Sequence, residues 1–161
     1  VLAVELEGNR LDRVLLDGES IASQLVPARD NLDVIPAGHR LGEVEQLGEG
    51  GASRGRLLTK ALDDQLTDYD FVLLDCPPAS GLIVINALFA VPEVLIPMPG
   101  DYLALQGLSH LMGTLRNFES SLGKQFRTRI LMTRFHARRR LAQDVRAKLL
   151  EYFPGQVLET P

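Results

Sequence analysis

The stretch Asp70 to Gly81, DFVLLDCPPASG, runs from one carboxylate through four apolar residues to a second, Asp75, and then into two prolines. A carboxylate at the end of an apolar strand can cap the turn that follows. It can also hold the water shell of a magnesium ion that bridges nucleotide phosphates. Two details weigh toward the second use. The apolar residues set Asp75 on a rigid element, and Pro77 and Pro78 stiffen the backbone leaving it, because proline fixes φ and donates no hydrogen bond. Ala79, Ser80 and Gly81 are then small enough to let backbone approach a phosphate. An apolar strand ending in Asp is the Walker B pattern, but many strands end in Asp, so on the pattern alone both readings stand.

A second cluster is cationic. Residues 124–148 carry 9 Lys/Arg against 1 Asp/Glu, whereas residues 1–123 carry 8 against 18, under a formal net charge of -4. Arg138, Arg139 and Arg140 fall at a helix start, with Arg134 and His136 just before them. Positive charge there opposes the helix dipole, so a stabilising role is not expected. The segment is either a solvated or ion-paired face or a surface for phosphate. His39 and His110 have no second ligand at metal spacing and read as surface or packing residues. Cys76 is the sole cysteine, so no internal disulfide forms, and it reads as a small buried residue.

The elements that must position these groups alternate. VLAVELE reads as a strand, LDRVLLDGESIASQLV as a helix weak at Gly18, and NLDVIPAG as a short strand. GEGGAS reads as a flexible connector into the helical RGRLLTKALDDQL. DFVLLD then reads as a strand, GLIVINALFA as a buried helix, EVLIPMP as a strand and ALQGLSHLMGTLRNFESSL as a helix. RTRILMTRF is a strand, RRRLAQDVRAKLLEYF an amphipathic helix, and QVLET the start of another strand. Continuous apolar strands between helices predict a mainly parallel, doubly wound α/β sheet whose strands are buried on both faces. The 161 residues, 45% hydrophobic, suit one domain over 1–161. No run approaches roughly 18 apolar residues and the start lacks signal-peptide order, so a cytoplasmic protein is expected.

The same residues carry a resemblance. DYDFVLLDCPPASGLIVINALFAVPEVLIPMPGDYLALQGLSHLMGTL, residues 68–115, resembles the central part of the ParA/Soj/MinD family of deviant Walker ATPases, most closely the ParA/Soj chromosome and plasmid partition proteins. VLAVELEGN, NLDVIPAG and the stretch from RILMTRF to the end resemble flanking parts of the same family. The resemblance implies a three-layer, P-loop NTPase-like fold with ATP and Mg²⁺ as cofactors. It makes Asp75 the Walker B carboxylate, supporting the metal through water, and makes Cys76, Pro77 and Pro78 part of a switch-like loop, ending at Gly81, that senses the γ-phosphate. Met132, Thr133 and Phe135 would lie near the nucleotide base. Glu5 falls where the family has the Asp that positions the attacking water, and Glu7 where it has a second Asp. Both are departures, one methylene longer.

A larger departure is that no K-G-G-x-G-K-T loop occurs in the sequence, so the fold is expected to be incomplete and the chain a fragment that does not hydrolyse ATP by itself. For the whole protein the resemblance implies an ATP-dependent homodimer, nonspecific DNA bound through Arg138, Arg139 and Arg140, nucleoid association, and hydrolysis stimulated by a ParB-like partner. The alternatives are a degenerate, nucleotide-independent binding module or a MinD-like membrane-associated ATPase; the latter needs an amphipathic C-terminal helix not found in this sequence. A reductase like the nitrogenase iron protein requires more cysteines for its cluster.

Overall fold

The computed structural model describes residues 8, 10–46, 54–63, 65–77 and 81–159. The chain divides into two compact units, Val1–Ala90 and Val91–Pro161. In the first, a π-type helical turn over Arg13–Asp17 stops at Gly18, which sits at φ 74° as a left-handed C-cap. A short 3-10 turn, Ile21–Gln24, leads into β1, Val26–Arg29. The helix expected over this stretch is thus cut at its glycine, and only its last residue, Val26, becomes strand. β1 pairs antiparallel with β2, Leu32–Val34, across a tight turn in which Asn31 takes φ 56°, a conformation asparagine tolerates. The strand expected in NLDVIPAG therefore forms, but in a hairpin rather than in a parallel sheet.

Among the described residues three helices follow in this unit: α1 (Leu41–Gln46), α2 (Leu57–Leu62, entered through a 3-10 turn at Arg54–Arg56) and α3 (Leu82–Ala90). Val14, Leu15, Ile21, Val44, Leu58 and Ala87 form the buried cluster they share. Two buried polar side chains tie the pieces together. Asp12 accepts from the Arg40 amide at 2.9 Å, just before α1. Asn86, on α3, accepts from the Leu58 amide at 3.2 Å and donates to the Arg54 and Leu82 carbonyls, each at 2.9 Å. It thereby supplies from another helix the cap that α2 lacks in its own sequence.

The strand expected at DFVLLD does not form. Residues 71–77 have no regular structure, and Phe71 and Leu73 are each 84% exposed, while Leu74 leans on the core. The reason is that a central parallel strand is stable only between neighbours that take its hydrogen bonds. Among the described residues none lies beside it. GEGGAS and VLAVELE lie outside the described residues.

The second unit is a parallel α/β layer. β3 (Glu93–Pro99) and β4 (Arg127–Thr133) run parallel and in register from Glu93↔Arg127 to Pro99↔Thr133, and Val157 adds a further parallel bridge to Ile130. Every second residue points into the core: Ile96 and Met98 on β3, Ile130 and Met132 on β4. α4 (Tyr102–Leu122) and α5 (Arg140–Tyr152) contribute Leu108, Leu115, Ala142, Val145 and Leu149. Asp101 caps α4 by accepting from the Ala104 amide at 2.8 Å. The bounds of these elements match the sequence expectation closely, QVLET contributing a single bridge, but burial on both faces is not found: β3 alternates, with Leu95 49% exposed beside the buried Ile96.

Candidate nucleotide and anion sites

Asp75 emerges from an anchored chain. The Tyr69 amide donates to the Leu66 carbonyl at 3.2 Å, and the Tyr69 hydroxyl donates to the Asp33 carboxylate of β2. That bond, followed by desolvation and the negative charge of Asp33, raises the phenol above its ordinary pKa of 10.0. Beyond this anchor Asp75, Cys76 and Pro77 are all exposed. The Asp75 carboxylate makes no hydrogen bond or ion pair among the described residues, and the residue is exposed.

Cys76 is exposed, contrary to the expectation of a small buried residue, because the segment carrying it is not packed into a sheet. Its thiol contacts the Leu74 carbonyl at 3.7 Å. Local desolvation, and then the neighbouring Asp75 charge, push it above the ordinary thiol value of 9.0. A thiol held protonated in this way is a poor metal ligand and a poor nucleophile.

The chain re-enters regular structure at Gly81, whose carbonyl accepts from the Ile85 amide at 3.1 Å to open α3. The first free amides of α3 are already bound. Glu45, on α1, accepts from Leu82 N at 2.6 Å and from Ile83 N at 3.1 Å through its two oxygens. No pattern in the sequence marks Glu45, because its partners lie 37 and 38 residues away. Its only local mark is its place on the exposed side of α1.

Glu5, Glu7 and Pro78 lie outside the described residues. Arg138, Arg139 and Arg140 are in the second unit, exposed, at the turn that opens α5. Arg139 is the N-cap residue with no side-chain cap bond, and no acidic residue stands in the first turn. Among the described residues none of the three forms an ion pair, so the ion-paired alternative for them finds no support. Met132 is buried at the end of β4, and Arg134 follows at φ 51°. His39 and His110 are exposed, and the described residues hold no cluster of His, Cys, Asp or Glu able to bind a metal alone. A single exposed carboxylate such as Asp75 fits a magnesium ion brought with a nucleotide and held through water; it does not fit a protein-only metal site. No described helix is long and apolar enough to cross a membrane.

Comparison with solved structures defines the class as an α/β protein of P-loop ATPase fold. Cobyrinic acid a,c-diamide synthase from Mycobacterium smegmatis, solved with an ATP analog and magnesium, superposes over 98% of this chain and 64% of its own, with a TM-score of 0.81 at 25% identity. A plasmid partition protein from Borrelia burgdorferi superposes over 98% of this chain and 65% of its own, TM-score 0.72, at 22% identity. A family model described as an AAA domain matches residues 3–128. The sporulation initiation inhibitor protein Soj of Bacillus subtilis is 38% identical over 132 residues, which is 81% of this chain and 52% of that protein. The chromosome partitioning protein ParA of Myxococcus xanthus is 37% identical over 131 residues, 80% of this chain and 46% of its own. The chain belongs to this AAA-domain family, in its ParA/Soj group. It spans about half the length of these curated relatives.

Proposed function

We propose that the protein carrying this chain is a partition-type ATPase. It binds Mg-ATP, dimerises around the nucleotide, holds DNA without sequence preference, and hydrolyses ATP faster when a ParB-like partner engages it. The observation that carries this reading is the exposed Asp75 carboxylate between the Tyr69 anchor and the capped start of α3. By the resemblance of residues 68–115 it would take the Walker B position, and a chromosome-partitioning ATPase Soj from Treponema pallidum is 37% identical over 81% of this chain.

In this reading Asp75 orients water around the magnesium ion, which neutralises charge on the phosphates as it develops. Cys76 and Pro77, together with Pro78, hold the backbone that follows in one course, the prolines through their fixed φ. Glu5 keeps the charge of the family's water-positioning Asp at greater reach. Arg138, Arg139 and Arg140 supply uncompensated positive charge for phosphate contacts along DNA.

The test is Mg²⁺-dependent ATP hydrolysis by the full-length protein. Asp75→Ala should lower kcat by on the order of 100-fold, the usual loss when a group stabilising developing charge is removed. Hydrolysis unaffected by Asp75→Ala would reject the assignment and favour a nucleotide-independent binding module.

A further inference from the structure

Helix α3 begins where the proposed switch segment ends, and among the described residues no side chain of its own caps it. Its N-cap position is Gly81, which has no side chain, and its first turn contains no acidic residue. Glu45 supplies both missing functions from α1: a bidentate acceptor for the Leu82 and Ile83 amides, and a negative charge at the positive end of the helix dipole.

The fit depends on Gly81. A Cβ built there lands on the Glu45 carboxylate, on both oxygens and on Cδ. A side chain at 81 would push the carboxylate off its present seat, a shift the end of a flexible side chain can make. Further along α3, Asn86 ties the helix to the entrance of α2. With its core side fixed, the start of α3 is held at its solvent side by Glu45, whose bonds are exposed and can be broken.

We propose that Glu45 is a positioning residue: seated over Gly81, its carboxylate fixes where the chain beyond Asp75 re-enters the fold, and so holds Asp75 at its working distance from the nucleotide. This rests on the ATPase reading above. It also implies that the α3 amides are occupied by protein carboxylate and are not the groups that receive a phosphate.

The experiment uses the full-length protein with Glu45→Ala, Glu45→Gln, Gly81→Ala and the Glu45→Ala/Gly81→Ala double variant. Gly81→Ala displaces the carboxylate from its present seat while leaving its charge in place. The readouts are kcat and KM for Mg-ATP, nucleotide affinity by direct titration, and hydrogen exchange at the Leu82 and Ile83 amides. Glu45→Ala and Gly81→Ala should each lower kcat at least about tenfold, the scale of a misplaced catalytic group, with nucleotide affinity within about threefold. The double variant should be no worse than the poorer single one, because both remove one interaction. Glu45→Gln, which keeps one acceptor oxygen, should recover part of the rate, and exchange at both amides should speed up in the Ala variants.

Unchanged exchange in Glu45→Ala would mean that the carboxylate does not hold the helix. Faster exchange with unchanged kcat would mean that the cap is structural only, as would a parallel fall of affinity, rate and thermal stability. A parent protein that hydrolyses no ATP would overturn the ATPase reading and the positioning role with it, whereas the exchange data would still report whether the cap exists.

Discussion

Asp75 and Cys76 are adjacent and both exposed, and each changes what the other does. The Cys76 thiol lies above its ordinary value, first through local desolvation and second through the Asp75 charge. Exposure alone would suggest fast alkylation, but the thiolate is the reactive form. Cys76 should therefore react with iodoacetamide more slowly at pH ~8 than a free cysteine does, and Asp75→Asn should quicken it modestly, as measured by mass spectrometry over time. Tyr69 gives a second titration. Its neutral form makes the bond to Asp33, so its pKa is raised in the folded state. The stability it contributes is complete below the ordinary phenol value and is lost as pH rises through the raised one. Tyr69→Phe should be less stable at neutral pH and should show a shallower loss of stability above pH ~10, measured by urea unfolding across the alkaline range. Asp75 stands out in the sequence because its signal is contiguous: an apolar run, a carboxylate, two prolines. Glu45 does not, since nothing near it in sequence announces partners 37 and 38 residues away.

Among the elements, α3 has the most to hold in place. Asn86 is 1% exposed and bonds to three backbone groups on two helical segments. Asn86→Leu should destabilise the fold by about 2–4 kcal/mol, because it strips the Leu58 amide of its acceptor and the Arg54 carbonyl of this donor in a packed setting. Chemical denaturation would measure it, and a change under about 0.5 kcal/mol would show that water replaces the side chain. The helices α4 and α5 and the strands β3 and β4 could be read directly from periodicity, because each buries one face against the others in its own unit. The segment DFVLLD could not. Its composition is that of a buried strand, but strand formation depends on neighbours supplied by distant sequence, and the described residues place none there. The β1–β2 hairpin has the opposite cause: the Asp30-Asn31 turn sets an antiparallel pairing locally, which overrides the parallel reading of the whole.

At the scale of the molecule, charge is segregated along the chain more sharply than the net value of -4 conveys. Arg138, Arg139 and Arg140 stand exposed at one helix start without an ion-pair partner among the described residues. If they bind phosphates, replacing all three by Ala in the full-length protein should weaken DNA binding about equally for unrelated sequences. The dependence of log K on log salt should become shallower by up to about 2.7, near 0.9 for each phosphate that is no longer neutralised. An unchanged salt slope in fluorescence anisotropy would place the DNA surface elsewhere. The segregation itself was legible from the sequence; its role was not, because a row of arginines looks the same whether it meets water or phosphate.

The exposed run Phe71-Val72-Leu73 has a consequence for how this chain behaves at high concentration. Short apolar segments with unpaired backbone are templates for strand addition between copies, and such segments are kept apart by charges at their ends. Asp70 and Asp75 flank this one. In this chain the Asp75 carboxylate should therefore oppose strand addition between copies. Removing it should lower the colloidal stability of this chain, so an insoluble Asp75 variant would report on aggregation rather than on chemistry.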